Sequence, residues 1–129
     1  QKITQITEGV KISVETIYQS EYSNPDREHF MFAYHISIEN LSDYTVQLKS
    51  RYWKIFDAKG DYREVSGEGV VGEQPVIEPG QIHQYTSGCN LNSEFGFMEG
   101  HYNMIRSLDN SSFQVEIPRF NLIADYALN

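Results

Sequence analysis

Gly67-Glu68-Gly69-Val70-Val71-Gly72, followed by Glu73-Gln74-Pro75-Val76-Ile77-Glu78-Pro79-Gly80, is the stretch on which the fold turns. Its first six residues match G-x-G-x-x-G, the spacing that holds a pyrophosphate where a strand passes into a helix. That chemistry needs unpaired amides and a helix dipole behind the last glycine. Pro75 and Pro79 follow too closely for a helix to form there, because each removes a donor and restricts its neighbour. No strand-helix-strand unit supplies a ribose-binding acid further on, and Glu68 would repel a phosphate. The glycines are better read as positive-φ and close-approach positions in a connection between strands. Pro79-Gly80 then suits a type II turn.

Period-two alternation surrounds this connection. Val10, Ile12, Val14, Thr16 and Tyr18 point one way, and Phe30, Phe32, Tyr34, Ile36 and Ile38 repeat the pattern more strongly. Such runs are antiparallel strands with one face on a core and one toward water. A third strand is expected from Thr45 to Phe56, with Trp53 and Ile55 brought into phase with Val46 by a local irregularity. Asp57-Ala58-Lys59-Gly60 and Leu108-Asp109-Asn110-Ser111 read as hairpin turns. Further strands are expected at 61–66, 82–89, 97–107, 112–117 and 120–123, with 90–93 irregular and Pro118 interrupting a ladder. No segment carries a helical stripe. The chain therefore reads as all-β, a two-sheet antiparallel sandwich of about seven to nine strands.

At 129 residues the chain is expected to form one domain with its own core. Ten basic against 18 acidic residues give a net charge of −8, which disfavours nucleic-acid backbones and anionic membranes as partners. No apolar run is long enough to span a bilayer, and the first residues lack the apolar core of a signal peptide. Cys89 is the sole cysteine, which fits a cytoplasmic location and a small side chain at a strand end.

Catalytic patterns are missing. There is no nucleophile elbow, no H-E-x-x-H, no paired cysteine and no calcium-loop spacing. His29 and His35 lie about 20 Å apart along one strand at roughly 3.3 Å per residue, so they cannot share an ion. The expectation is a protein that is not an enzyme and has no cofactor and no metal site. Arg51, two residues from Trp53, lies on the same strand face. Its expected partners are carbonyls of the glycine-rich connection, while an arginine beside aromatics also suits an anion or a partner protein.

Several ordered motifs carry a family resemblance. Val46-Gln47-Leu48-Lys49-Ser50-Arg51-Tyr52-Trp53, the Gly67–Pro75 run, Glu78-Pro79-Gly80, Tyr85-Thr86-Ser87-Gly88, Gly96-Phe97-Met98-Glu99-Gly100-His101-Tyr102 and Ile117-Pro118-Arg119-Phe120-Asn121-Leu122 together resemble the ApaG family, also called CorD. Lys49 and Tyr52 are bulkier or more polar than that pattern suggests. The resemblance implies an immunoglobulin-like or fibronectin type III-like sandwich. It further implies a link to cobalt and magnesium homeostasis, gene proximity to a diadenosine-tetraphosphatase, and kinship with domains of eukaryotic F-box proteins. It carries over no catalytic residues.

The candidate binding residues are Arg51, Trp53, Gly67, Glu68, Gly69, Gly72 and Gln74. The expected role is protein–protein interaction with a partner not named by the sequence. The alternative is a binder of phosphorylated small molecules such as dinucleoside polyphosphates. Unpaired sheet edges also offer a route to a homodimer.

Overall fold

A computed structural model describes residues 2–128, with side chains through Tyr126. Nine strands follow in order: β1 (Lys2–Thr7), β2 (Val10–Tyr18), β3 (Phe30–Asn40), β4 (Val46–Asp57), β5 (Tyr62–Glu68), β6 (Val76–Ile77), β7 (Ile82–Leu91), β8 (Phe95–Arg106) and β9 (Ser112–Ile123). Every strand pair is antiparallel, and the strands form two sheets, β1-β2-β3-β7 and β5-β4-β8-β9, with β6 also on β4. Neighbours such as β3 and β7 are distant in sequence, so the sheets are joined by crossovers and close as a sandwich.

Alternation decides which side chains enter the core. On β3 the even residues from Phe30 to Asn40 are buried, and their odd neighbours are half-buried on the outer face. Facing them from β4 are Val46 and Leu48, then Trp53 and Ile55. The change from even to odd occurs where the pairing of β4 with β8 shifts between Leu48 and Ser50. Lys49 is thus the bulged residue, and the extra position turns Trp53 inward as the phase argument anticipated. The indole packs edge-on against Tyr34 at 5.4 Å and Phe120 at 5.8 Å. Aromatic contacts of this kind add about 0.5–1.5 kcal/mol each beyond the area they bury.

Two polar side chains tie the loops to this core. Asp57 accepts from the amides of Asn92 at 2.6 Å and Lys59 at 3.2 Å and from the Ser93 hydroxyl, joining the β4–β5 turn to the β7–β8 turn. Asn40 donates to the carbonyls of Tyr44 and Ile77 at 2.7 and 2.9 Å and accepts from the Ser42 amide. Both are buried with their hydrogen bonds made, so each organises a loop without an orphaned polar group. The turns expected at 57–60 and 108–111 are present, with Gly60 at φ 98° and Asn110 at φ 58°. At Pro79-Gly80 the Gln81 amide donates to Glu78 and Gly80 has φ 85°, as a type II turn requires.

Sequence and structure differ at the margins. β1 was not anticipated; its residues are mostly exposed or half-buried, so the chain shows no clean apolar face there. Pro118 does not divide the last strand. β9 runs unbroken from Ser112 to Ile123, and the register shift between Met98 and Gly100 sets Pro118 and Arg119 opposite Glu99. An edge strand with a bulge needs no ladder donor at that point, so proline is accommodated. Asn90 and Leu91 extend β7 rather than standing in an irregular stretch, and Cys89 is buried on its inner face.

Candidate functional site

β5 and β6 run in the same direction along the same edge of β4, β5 opposite 50–56 and β6 opposite Val46 and Gln47. They are two halves of one interrupted strand, and the glycine-rich segment is the excursion between them. Val70 and Glu73 exchange both backbone hydrogen bonds, at 2.7 and 3.0 Å, so Val71 and Gly72 form a two-residue turn. Both have positive φ, 47° and 77°, the signature of a type I′ hairpin. The segment is a small hairpin standing out from a sheet edge.

Each glycine of the motif has its own cause. A Cβ on Gly67 would lie 2.8 Å from Arg51 Nη2, so the missing side chain makes room for the guanidinium. Gly69 has φ 63°, and a Cβ there would stand 2.1 Å from the Glu73 carbonyl oxygen. Gly72 meets nothing within 4 Å but occupies the second left-handed position of the turn. The amides of Gly69, Val70 and Glu73 donate to the carbonyls of Lys49, Glu73 and Val70. Donors that would cradle a phosphate in a nucleotide loop are here spent on the backbone.

Arg51 fixes the base of the hairpin. Its Nη1 donates to the carbonyl oxygens of Glu68 and Gly69, each at 2.9 Å, as anticipated from the sequence. Gln74 donates from Nε2 to Lys49 O at 2.8 Å, and Gln47 donates to Gln74 O at 3.1 Å. The Lys49 carbonyl, presented by the bulge in β4, thus receives both Gly69 N and Gln74 Nε2. Among the described residues no carboxylate lies within ion-pair distance of the Arg51 guanidinium. Behind it lie three tyrosines. Burial pushes the phenols of Tyr34, Tyr85 and Tyr102 upward from their ordinary range, and the Tyr85 and Tyr102 hydroxyls meet at 2.5 Å.

The expected site residues therefore divide by depth. Arg51, Gly67, Gly69 and Gln74 build the foot of the hairpin, Glu68 is exposed beside it, and Gly72 lies in its turn. Trp53 is 2% exposed and supports the strand from within the core. Two neighbours outside the expected set matter as much. Val70 is buried and plugs the hairpin into the core, whereas Val71 at the tip is 64% exposed. The adjacent valines in an otherwise polar stretch were the available signal: one must bury, and the next must then face away.

The histidines occupy separate environments. His35 contacts Thr86 and Gln84 on the outer face of its sheet, His101 stacks on Tyr52 at 5.1 Å, and His83 lies 3.9 Å from Glu73 beside the hairpin. Among the described residues no group of three or more His, Cys, Asp or Glu side chains is placed to hold a metal ion. Cys89 sits behind Arg63, and burial raises its thiol above the ordinary value. No helix among the described residues is long and apolar enough to cross a membrane.

Comparison with known proteins agrees with this architecture. The ApaG domain matches residues 20–106. The chain is 46% identical to Protein ApaG of Brucella canis over 117 residues, covering 91% of this chain and 89% of that one. It is 44% identical to Protein ApaG of Parvibaculum lavamentivorans over 122 residues, covering 95% and 93%. The crystal structure of the putative ApaA protein of Bordetella pertussis superposes with a TM-score of 0.87 at 37% identity, covering 90% of this chain and 94% of that one. The matched span contains the bulged β4, its arginine and the hairpin seated on it, and the chain belongs to the ApaG family.

Proposed function

We propose that this chain is a non-enzymatic protein–protein interaction module whose contact surface is the glycine-rich hairpin and its Arg51 base. One observation carries the reading. Val71, a β-branched residue, is held at φ 47° at the tip of a two-residue turn with its side chain 64% exposed. A non-glycine residue in that region costs on the order of 1–3 kcal/mol, and asparagine or glycine would relieve it. Strain retained at an exposed apolar tip, on a loop pinned at its foot, suits a preformed contact point on a rigid scaffold. The cytoplasm is the proposed setting, and the link to cobalt and magnesium homeostasis implied by family resemblance is exercised through the partner.

Capture from lysate on immobilised protein tests the reading with three variants. Val71→Asn is expected to melt higher than the parent yet recover less partner, while Arg51→Gln loosens the hairpin and lowers both. Glu68→Gln reports on the charge beside it. Undiminished recovery by all three sinks the site assignment.

A second reading, a binder of phosphorylated small molecules such as dinucleoside polyphosphates, draws on the half-buried Arg51 that lacks a carboxylate neighbour among the described residues. Calorimetry with such ligands, with and without Mg²⁺, separates the two. Heat that disappears in Arg51→Gln would favour the second, and silence at millimolar ligand dismisses it.

A further inference from the structure

The far edge of β5 is the place where the molecule offers most and uses least. β5 ends its sheet, and among the described residues no backbone hydrogen bond joins it to another strand on the side away from β4. All but one of its residues are exposed. A row of unpaired N–H and C=O groups on such an edge is a template for an added strand.

The side chains on its inner face give that edge a code. Arg63, Val65 and Gly67 lie opposite Ile55, Trp53 and Arg51 of β4, so all three point toward the other sheet. Arg63 reaches β7, donating from Nη2 to Asn90 O at 2.9 Å. Gly67 has no side chain, and the Arg51 guanidinium fills that position, 2.8–3.0 Å from where its Cβ would be. The edge therefore presents arginine, valine, arginine at successive inward positions, the second arginine borrowed from the neighbouring strand. The two charged positions are four residues apart, about 13 Å at roughly 3.3 Å per residue. Neither guanidinium has a carboxylate within ion-pair distance among the described residues.

Charge distribution points the same way. Residues 49–63 hold five of the ten lysines and arginines but two of the 18 acidic residues. An acidic molecule has concentrated its basic residues on the hairpin that ends in the open edge.

We propose that β5 receives an extended peptide as an additional strand, with acidic side chains at positions i and i+4 and an apolar one at i+2 facing inward. The carboxylates meet Arg63 and Arg51, and the apolar residue covers Val65, which is 37% exposed. Backbone pairing supplies affinity without sequence preference, while the two guanidinium–carboxylate contacts set the register, since a one-residue slip turns both acids to the opposite face. There the added strand would meet Glu64, Ser66 and Glu68, which repel them. The proposal rests on the interaction-module reading and names the partner's chemistry at the same foot of the hairpin.

Three synthetic peptides test it against the isotope-labelled full chain by NMR titration: one centred on Glu-Thr-Val-Thr-Glu, one on Lys-Thr-Val-Thr-Lys, and one on Glu-Glu-Val-Thr-Thr. The first is expected to shift the amides of residues 62–68 and to bind at least about tenfold more tightly than either other, with the preference shrinking at high salt. Arg63→Glu is expected to cancel the preference over the lysine peptide, because Arg51 and the new carboxylate then offer opposite charges. Arg63→Gln, which introduces no repulsion, is expected to reduce that preference to what Arg51 alone supports. Equal binding by all three peptides, shifts elsewhere, or no shift at millimolar peptide overturns the proposal. If Val71-dependent capture from lysate survives such a failure, strand addition alone is lost; if capture fails too, the module reading falls with it.

Discussion

The two flanks of the sandwich are built differently. On one flank, β1 and β9 are stitched by the chain itself. The Glu116 amide donates to Thr7 Oγ1 at 3.3 Å, Arg106 pairs with Glu8 at 3.1 Å, and Ile3 packs against the core. On the other, Arg63 of β5 reaches Asn90 O of β7, His83 of β7 approaches Glu73 of the glycine-rich hairpin, and that hairpin stands out between β5 and β6. The first flank pairs its charges with each other. The second leaves two arginines facing carbonyls and puts a valine into solvent at positive φ. Glu8 on the closed flank also has positive φ, 48°, but its carboxylate is tied to Arg106, whereas Val71 on the open flank leaves an apolar side chain in solvent.

The largest predicted effect falls on what the flanks share. Trp53→Ala removes the ring that joins β4 to Tyr34 and Phe120 and is expected to cost about 3–5 kcal/mol in urea unfolding. A smaller loss would mean that the two flanks are not built on one core. Gly69→Ala comes next, at about 1–3 kcal/mol, because φ 63° and the Glu73 carbonyl both oppose a Cβ. Gly80→Ala, with φ 85° but open space around it, should cost less. Equal losses at the two positions would remove the claim that the hairpin foot is closely fitted.

The flanks also differ in how plainly the sequence announces them. β3 was plain because its alternation is unbroken, and the inward turn of Trp53 was legible as a phase change even though Lys49 gave no sign of being the bulge. β1 was silent because Lys2–Thr7 forms an outer edge whose side chains meet little core. Arg51 and its carbonyl partners could be anticipated from its place beside Trp53 and the glycines. The hairpin tip could not, because Val71-Gly72 lacks the asparagine or aspartate that ordinarily announces a type I′ turn. The borrowed guanidinium at Gly67 was hidden for a different reason: it depends on the register of β4 with β5, which only the folded pairing supplies.

Alkaline pH probes the interior just behind the open flank. Burial raises the phenols of Tyr34, Tyr85 and Tyr102 in the folded chain, so the folded state holds their protons more tightly than the unfolded one. Their stabilising contribution is fully present below the unfolded value of about 10 and is lost as pH rises from there toward the folded values. Unfolding free energy should therefore fall above pH of about 10, by up to roughly 1.4 kcal/mol per pH unit for each phenol. Tyr102→Phe should flatten that slope, and an unchanged slope would place the pH dependence elsewhere. The smallest effect is the most discriminating: Val71→Asn is expected to raise stability by about 1 kcal/mol. A loss instead would mean that the turn is not strained.

If the open flank is a contact surface, the hairpin tip touches a partner. A photo-crosslinking residue at position 71, compared in living cells with the same residue at position 86 on the outer face of β7, tests it most directly. A discrete adduct is expected from position 71 that vanishes when Arg51→Gln loosens the foot, and none from position 86. Equal adducts from both positions, or none from position 71, would contradict it.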